Sequence, residues 1–114
     1  MSVKLTTRQV GDVTVIDAVG RITLGEGAST FRDTIRSLAS NGHKKMLLNL
    51  AEVSYIDSSG IGEMVSGFTT VANQGGTVKL LNLTKRVKDL LQITKLYTVF
   101  EVFEDEAAAV RSFA

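Results

Sequence analysis

The centre of the chain carries the stretch Tyr55-Ile56-Asp57-Ser58-Ser59-Gly60-Ile61-Gly62, in which two hydroxyls and two glycines follow one carboxylate. A run of strand type, residues 46–50, precedes it. After it, apolar residues recur at the spacing of one helical face; they are Ile61, Met64, Val65, Phe68, Val71 and Ala72. Strand, polar turn and amphipathic helix in this order predict an α/β fold.

The remaining segments supply the other strands and helices. Alternation over residues 3–8 and the apolar run 13–19 predict a hairpin that turns at Gly11-Asp12. Helical spacing, capping residues and glycine stops predict further elements. The helices contain residues 31–39, 87–91 and 104–113, and the strands are residues 77–81 and 98–103. A hairpin followed by alternating helices and strands predicts a mixed sheet with helices packed on it.

Length and composition narrow the class of protein. The 114 residues fit one domain spanning residues 1–114, and no apolar run is long enough to cross a bilayer. The N-terminus lacks the pattern of a signal peptide, and the absence of cysteine fits a cytoplasmic location. A net charge of +1 argues against bulk binding to nucleic acid. We therefore expect a cytoplasmic protein that binds neither nucleic acid nor membranes.

The start of the second helix holds more polar groups and glycines than a cap needs. Asp57 stands where a helix N-cap is expected, and one oxygen side chain would suffice there. Gly60 and Gly62 each cost about 1 kcal/mol relative to alanine inside a helix, so they indicate close approach by another backbone or a bulky group. A plain capping sequence is the simpler alternative.

The face of this helix opposite the core is small and, apart from Glu63, uncharged. It comprises Gly62, Ser66, Thr69, Thr70 and Asn73. A merely solvated face more often carries lysine, glutamate and arginine. We interpret this face as a docking surface for another protein.

Catalysis by Ser58 or Ser59 would need a general base within hydrogen-bond reach. The chain has one histidine, His43, which precedes the strand and is expected about 17 Å from the motif. No His or Cys cluster suits a metal, and no complete phosphate-binding fingerprint is present. A basic cluster on the third helix is interpreted as a solvated face; it comprises Lys85, Arg86 and Lys88. We predict no enzymatic activity, no metal and no cofactor.

An exposed serine at a helix start suits phosphorylation. A phosphate adds about −1.5 to −2 charges, and the helix N-terminus tolerates an anion. A partner's carboxylate about 4 Å away would be repelled by roughly 4 kcal/mol per charge pair before screening, and each ~1.4 kcal/mol is tenfold in affinity. The residues alone leave Ser58 and Ser59 equally open as the acceptor.

The chain resembles the STAS domain, specifically the bacterial anti-sigma-factor antagonists. The similarity is carried by the motif 56–62, the strand 48–50 before it, and the segments 75–76, 80–83, 87–96 and 100–103. This resemblance implies a single STAS-type α/β domain with a four- to five-stranded mixed sheet and about four α-helices mainly on one side. It also implies a regulator without enzymatic activity.

The resemblance further implies partners and a site. The partners are an anti-sigma factor that is also a serine kinase of the histidine-kinase-like ATPase type, and a metal-dependent serine phosphatase. The kinase target maps onto Ser58, with Ser59 as the alternative. The expected partner-binding residues are Asp57, Ser58, Ser59, Gly60, Ile61, Gly62, Ser66 and Thr69.

One segment departs from the family pattern, in which an aspartate often follows the second strand in a Gly-x-Leu-Asp sequence. Here Gly20-Arg21-Ile22 is followed by Thr23 and a loop, Gly25-Glu26-Gly27, expected near the docking end. This departure leaves the identity of the partner open. Two alternatives to a partner-switching regulator also stay open. One is an interaction module of a larger signalling assembly that is never phosphorylated, and the other is a nucleotide- or lipid-binding domain.

Overall fold

Five strands form one mixed sheet in the computed structural model, which describes residues 3–113. The strands are β1 (Val3–Val10), β2 (Val13–Ile22), β3 (Lys45–Ile56), β4 (Thr77–Leu81) and β5 (Val102–Phe103). They lie in the order β1-β2-β3-β4-β5, with β1 antiparallel to β2 and every other pair parallel. The carboxyl ends of β2 to β5 therefore share one edge of the sheet, where sites of α/β proteins usually form.

Three helices cover one face of the sheet and a fourth covers the other. The helices are α1 (Glu26–Ser40), α2 (Ser58–Asn73), α3 (Lys85–Ile93) and α4 (Glu106–Ser112). Buried residues of α1, α2 and α3 join the main core, whereas Ala109 of α4 joins a smaller cluster with Val13, Val15, Leu47 and Leu81. Within residues 3–113 no helix has the length and apolarity to span a bilayer. The predicted mixed sheet with helices mainly on one side is confirmed.

Two predicted boundaries are wrong. The strand predicted at 98–103 is reduced to Val102–Phe103, and Leu96–Thr98 form a 3-10 turn instead. This turn allows Phe100 to enter the core, where its ring meets Phe68 edge-on at 5.4 Å. β3, predicted at 46–50, continues to Ile56 because β2 pairs with it over nearly its whole length.

The predicted loop Gly25-Glu26-Gly27 is also corrected, since α1 begins at Glu26 and Gly27 is buried in its first turn. A Cβ on Gly27 would lie 2.6 Å from the carbonyl oxygen of Arg21, so glycine lets α1 start directly against the end of β2. Ala72, predicted to face the core, is exposed near the end of α2.

Arg8 attaches α4 to the sheet by bridging two carboxylates. Its Nε lies 2.7 Å from Oδ2 of Asp17 on β2, and its Nη2 lies 2.6 Å from Oε1 of Glu106 on α4. Hydrogen bonds from Arg8 lower the pKa of both carboxyl groups. Asn49 on β3 also donates to Asp17, at 2.9 Å. The network thus links β1, β2, β3 and α4.

We expect the double variant D17N/E106Q to be less stable than the wild type at pH 7, by about 0.4–2 kcal/mol for two exposed ion pairs. Because both pKa values are lowered in the folded state, this stabilisation is present above the unfolded values near 4 and is lost as the pH falls through the folded values. Urea unfolding followed by circular dichroism should show the difference shrinking between about pH 5 and pH 2.

The control is D33N, which removes an exposed carboxylate 3.7 Å from Arg32 and outside the network. A difference between D17N/E106Q and wild type that stays constant down to pH 2 would contradict the assignment of the bridge.

Candidate functional site

Asp57 connects three segments at the carboxyl edge of the sheet. Its Oδ1 accepts a hydrogen bond of 2.9 Å from the backbone N–H of Gly60, which makes it the N-cap of α2 as predicted. Its Oδ2 accepts one of 2.9 Å from the N–H of Leu24 in the loop between β2 and α1. Its own N–H donates to the carbonyl oxygen of Ile22, at 3.4 Å. One side chain therefore both caps the helix and fixes the neighbouring loop.

These contacts keep the Asp57 carboxylate charged. Partial burial of the group acts to raise its pKa, but the N–H groups of Leu24, Gly60 and Ser59 together outweigh burial and lower the pKa. Hydrogen bonds to the charged form of a carboxyl group have this effect. At neutral pH the start of α2 therefore carries a fixed negative charge directly beside Ser58.

The two serines after Asp57 differ in their accessibility. Ser58 is the first residue of α2 and is exposed, whereas Ser59 is partly buried. A modifying enzyme must reach the hydroxyl, so the structure favours Ser58 over Ser59 on access, a choice that the residue pattern alone left open.

The two glycines of the motif have different surroundings. A Cβ on Gly60 would overlap the carbonyl oxygen of Ile22 and lie 2.6 Å from Cγ1 of Ile56, whereas a Cβ on Gly62 would meet nothing within 4 Å. Gly60 therefore makes room for the end of β2. The predicted close approach of another backbone is confirmed. Gly60, expected among the partner-binding residues, is instead buried against β2, and of the two glycines only Gly62 leaves open surface.

The exposed face of α2 is small and neutral. Gly62, Ser66 and Thr69 are exposed along it, while Gly60 and Ile61 of the predicted partner-binding set are buried beneath it. Glu63, the charged residue at its flank, lies 3.4 Å from Arg32 of α1. The face therefore presents hydroxyls and backbone with little net charge.

His43 is remote from this site. It precedes β3, and its Nδ1 lies 2.8 Å from Oγ1 of Thr14. The 12-residue strand β3 separates it from the motif, instead of the roughly five extended residues expected from the sequence. His43 therefore does not activate Ser58. In the described part of the chain, no group of three or more histidine, aspartate or glutamate residues is placed to hold a metal.

Sequence reasoning missed a groove next to the motif. The groove has a volume of about 450 Å³ and lies between the end of β3 and α3; it is lined by Tyr55, Ile56, Lys85, Arg86, Asp89, Leu90 and Ile93. The guanidinium groups of Arg21 and Arg86 lie 5.4 and 4.5 Å from the centre of the Tyr55 ring. The sequence predicts a solvated face for Arg86, because spacing along α3 does not reveal that this helix packs beside Tyr55.

The contrast between the two glycines gives a matched pair of variants. We expect G60A to lower the free energy of unfolding by about 1–3 kcal/mol or more, because the new methyl group overlaps backbone of β2. We expect G62A to be neutral or to stabilise by up to about 1 kcal/mol, the helix propensity difference. Thermal and urea unfolding measure both, and equal stability of the two variants would contradict the packing described for Gly60.

Comparison with known proteins identifies the family. The model of the STAS domain matches residues 4–109. The anti-sigma-B factor antagonist of Bacillus subtilis is 31% identical over 102 residues, which are 90% of this chain and 92% of the relative.

Solved structures share the fold. An anti-sigma factor antagonist from Mycobacterium paratuberculosis superimposes with a TM-score of 0.84 at 13% identity, covering 98% of this chain and 94% of that one. The phosphorylated form of the Bacillus cell fate determinant SpoIIAA superimposes with a TM-score of 0.76 at 19% identity, covering 97% and 100%. At these identities the structural matches show the fold alone, whereas the family model and the Bacillus subtilis relative show that the chain belongs to the STAS domain family of bacterial anti-sigma-factor antagonists.

Proposed function

We propose that this chain is an anti-sigma-factor antagonist whose binding to an anti-sigma factor is switched off by phosphorylation of Ser58. The observation that carries the proposal is the exposed Ser58 hydroxyl at the first position of α2, next to a carboxylate that backbone hydrogen bonds hold in place. SpoIIAA, a protein of the same fold, has been solved in a phosphorylated form, so this fold is compatible with phosphorylation.

Electrostatics explains how one modification would act. The unmodified face of α2 is neutral, so a partner can approach it closely and bury it. A phosphate adds about −1.5 to −2 charges beside the −1 of Asp57, while the N-terminus of α2 accommodates the anion without unfolding. Modification would therefore leave the fold intact and make the surface strongly negative. Each ~1.4 kcal/mol of resulting repulsion weakens binding tenfold.

The proposed docking surface, called here the serine surface, combines the motif and the exposed face of α2. It consists of Asp57, Ser58, Ser59, Gly62, Ser66 and Thr69, six of the eight residues predicted to contact the partner. Gly60 and Ile61 support this surface from below, since both are buried.

The proposed partners supply the chemistry. An anti-sigma factor that is also a serine kinase of the histidine-kinase-like ATPase type would bind the serine surface and phosphorylate Ser58, and a metal-dependent serine phosphatase would reverse the modification. The chain itself, acting as one domain over residues 1–114, is proposed to have no catalytic role. Because a sigma factor acts in transcription, the proposal includes a cytoplasmic location.

The test is a titration against each anti-sigma kinase encoded in the genome of origin. We expect the wild type and S58A to bind one of them with similar affinity, and S58D to bind at least about tenfold more weakly because of its added charge. Ser37→Asp is the matched control, since Ser37 is exposed on α1 and lies outside the serine surface. Equal binding by the wild type, S58A and S58D would contradict the switch.

Mass spectrometry of the protein from its native cells separates the switch from the alternative of an unmodified interaction module. The switch predicts a population phosphorylated at Ser58 whose size changes with growth conditions. Absence of phosphate under every condition would favour the interaction module.

A further inference from the structure

Two cations at the groove beside the serine surface have no carboxylate partner among the described residues. Arg86 lines the groove, and Arg21 lies next to the ring of Tyr55, which lines it. Within residues 3–113, no salt bridge joins Arg21 or Arg86 to an acidic side chain, although Lys85 in the same groove lies 2.9 Å from Asp89. Both guanidinium groups instead approach the ring of Tyr55. Two like charges at one ring repel each other, so an external anion bound to both would relieve that repulsion.

The backbone fixes this arrangement. Arg21 on β2 and Tyr55 on β3 are register partners in the parallel ladder, so their side chains start from neighbouring positions on the sheet. Arg86 lies in the first turn of α3, whose N-terminus is capped by Thr84. The two arginines therefore belong to separate elements that the fold brings to one aromatic ring.

The groove also presents apolar surface. Ile93, at the end of α3, is 77% exposed. Leu90 and Ile56 line the same groove. An exposed isoleucine beside unneutralised arginines is the combination expected of a protein-binding site, because interface centres combine apolar contacts with arginine anchors.

We propose that this groove, called here the arginine groove, binds an acidic segment of the anti-sigma factor, with a carboxylate held by Arg21 and Arg86 and an apolar side chain on Ile93. This proposal rests on the proposed function, which supplies the partner, and extends it by a second contact region. Charge complementarity supports it, since guanidinium groups bind carboxylates with short, directional hydrogen bonds.

A protein segment fits the groove better than a nucleotide does. Besides the cations, the groove presents the apolar side chains of Leu90 and Ile93. A protein segment can place a carboxylate at the arginines and an apolar side chain on Ile93, whereas a polyphosphate offers no apolar group to Ile93.

The arginine groove and the serine surface adjoin each other along the chain. Ile56 lines the groove, and Asp57 and Ser58 follow it directly at the carboxyl edge of the sheet. One partner can therefore cover both regions at once.

The binding test uses the anti-sigma factor that the wild type binds in the Ser58 titration. We expect R21Q/R86Q to weaken binding about 10- to 100-fold, as loss of interface arginines typically does, and we expect R21K/R86K to retain more affinity than R21Q/R86Q because it keeps both charges. The control R36Q/K44Q removes the same charge at exposed positions outside the groove and should bind like the wild type. Thermal unfolding of each variant checks that the fold is retained.

The outcomes separate the two proposals. If S58D loses binding but R21Q/R86Q binds like the wild type or like R36Q/K44Q, the arginine groove is refuted and the switch stands. If the wild type binds no anti-sigma factor, both the phosphorylation switch and the arginine groove are refuted. A parallel titration with ATP should show no binding that depends on Arg21 and Arg86, and ATP binding lost in R21Q/R86Q would overturn the assignment to a protein segment.

Cross-linking identifies the contacting segment. Because the chain has no cysteine, I93C provides a unique site for a benzophenone label. We expect the photo-cross-linked peptide of the anti-sigma factor to contain aspartate or glutamate, and the control label at R36C to give no cross-link. A peptide without acidic residues, or equal cross-linking from both positions, would overturn the proposal.

Discussion

The carboxyl edge of the sheet depends on the hydrogen bonds of Asp57. Its two carboxylate oxygens accept hydrogen bonds from the first turn of α2 and from the loop that leads into α1, while its backbone N–H donates to the carbonyl oxygen of the last residue of β2. Gly60 then packs directly against that residue, Ile22. Helix, loop and strand are therefore held as one unit, and the position of Ser58 is set by rigid elements instead of by a flexible loop.

The distribution of charge sets this edge apart from the rest of the surface. On the opposite face of the sheet, Arg8 pairs with Asp17 and Glu106, and beside α2 Arg32 lies near Glu63. The exposed face of α2 is neutral. Arg21 and Arg86 have no acidic partner in the described chain. A proposed phosphate on Ser58 would thus be the largest local charge at the edge.

Sequence reasoning recovered what depends on local chemistry. The N-cap role of Asp57, the amphipathic faces and the hairpin follow from residue type and spacing, and all are present. It failed where tertiary contacts decide: Phe100 leaves its predicted strand to enter the core, and Gly60 makes room for β2 instead of an outside partner. The same limit hid the groove, because Tyr55, Arg21 and Arg86 are brought together only by strand register and helix packing.

The two proposed contact regions would respond to phosphorylation in the same direction. Ser58 is three positions after Tyr55, at most about 11 Å of extended chain, which is close to the Debye length of about 8–10 Å under physiological conditions. A phosphate on Ser58 would therefore repel an acidic partner at the serine surface and also reduce the positive potential that attracts the partner's carboxylate to Arg21 and Arg86. Because both effects weaken binding, a single modification would act on more of the interface than the helix start alone.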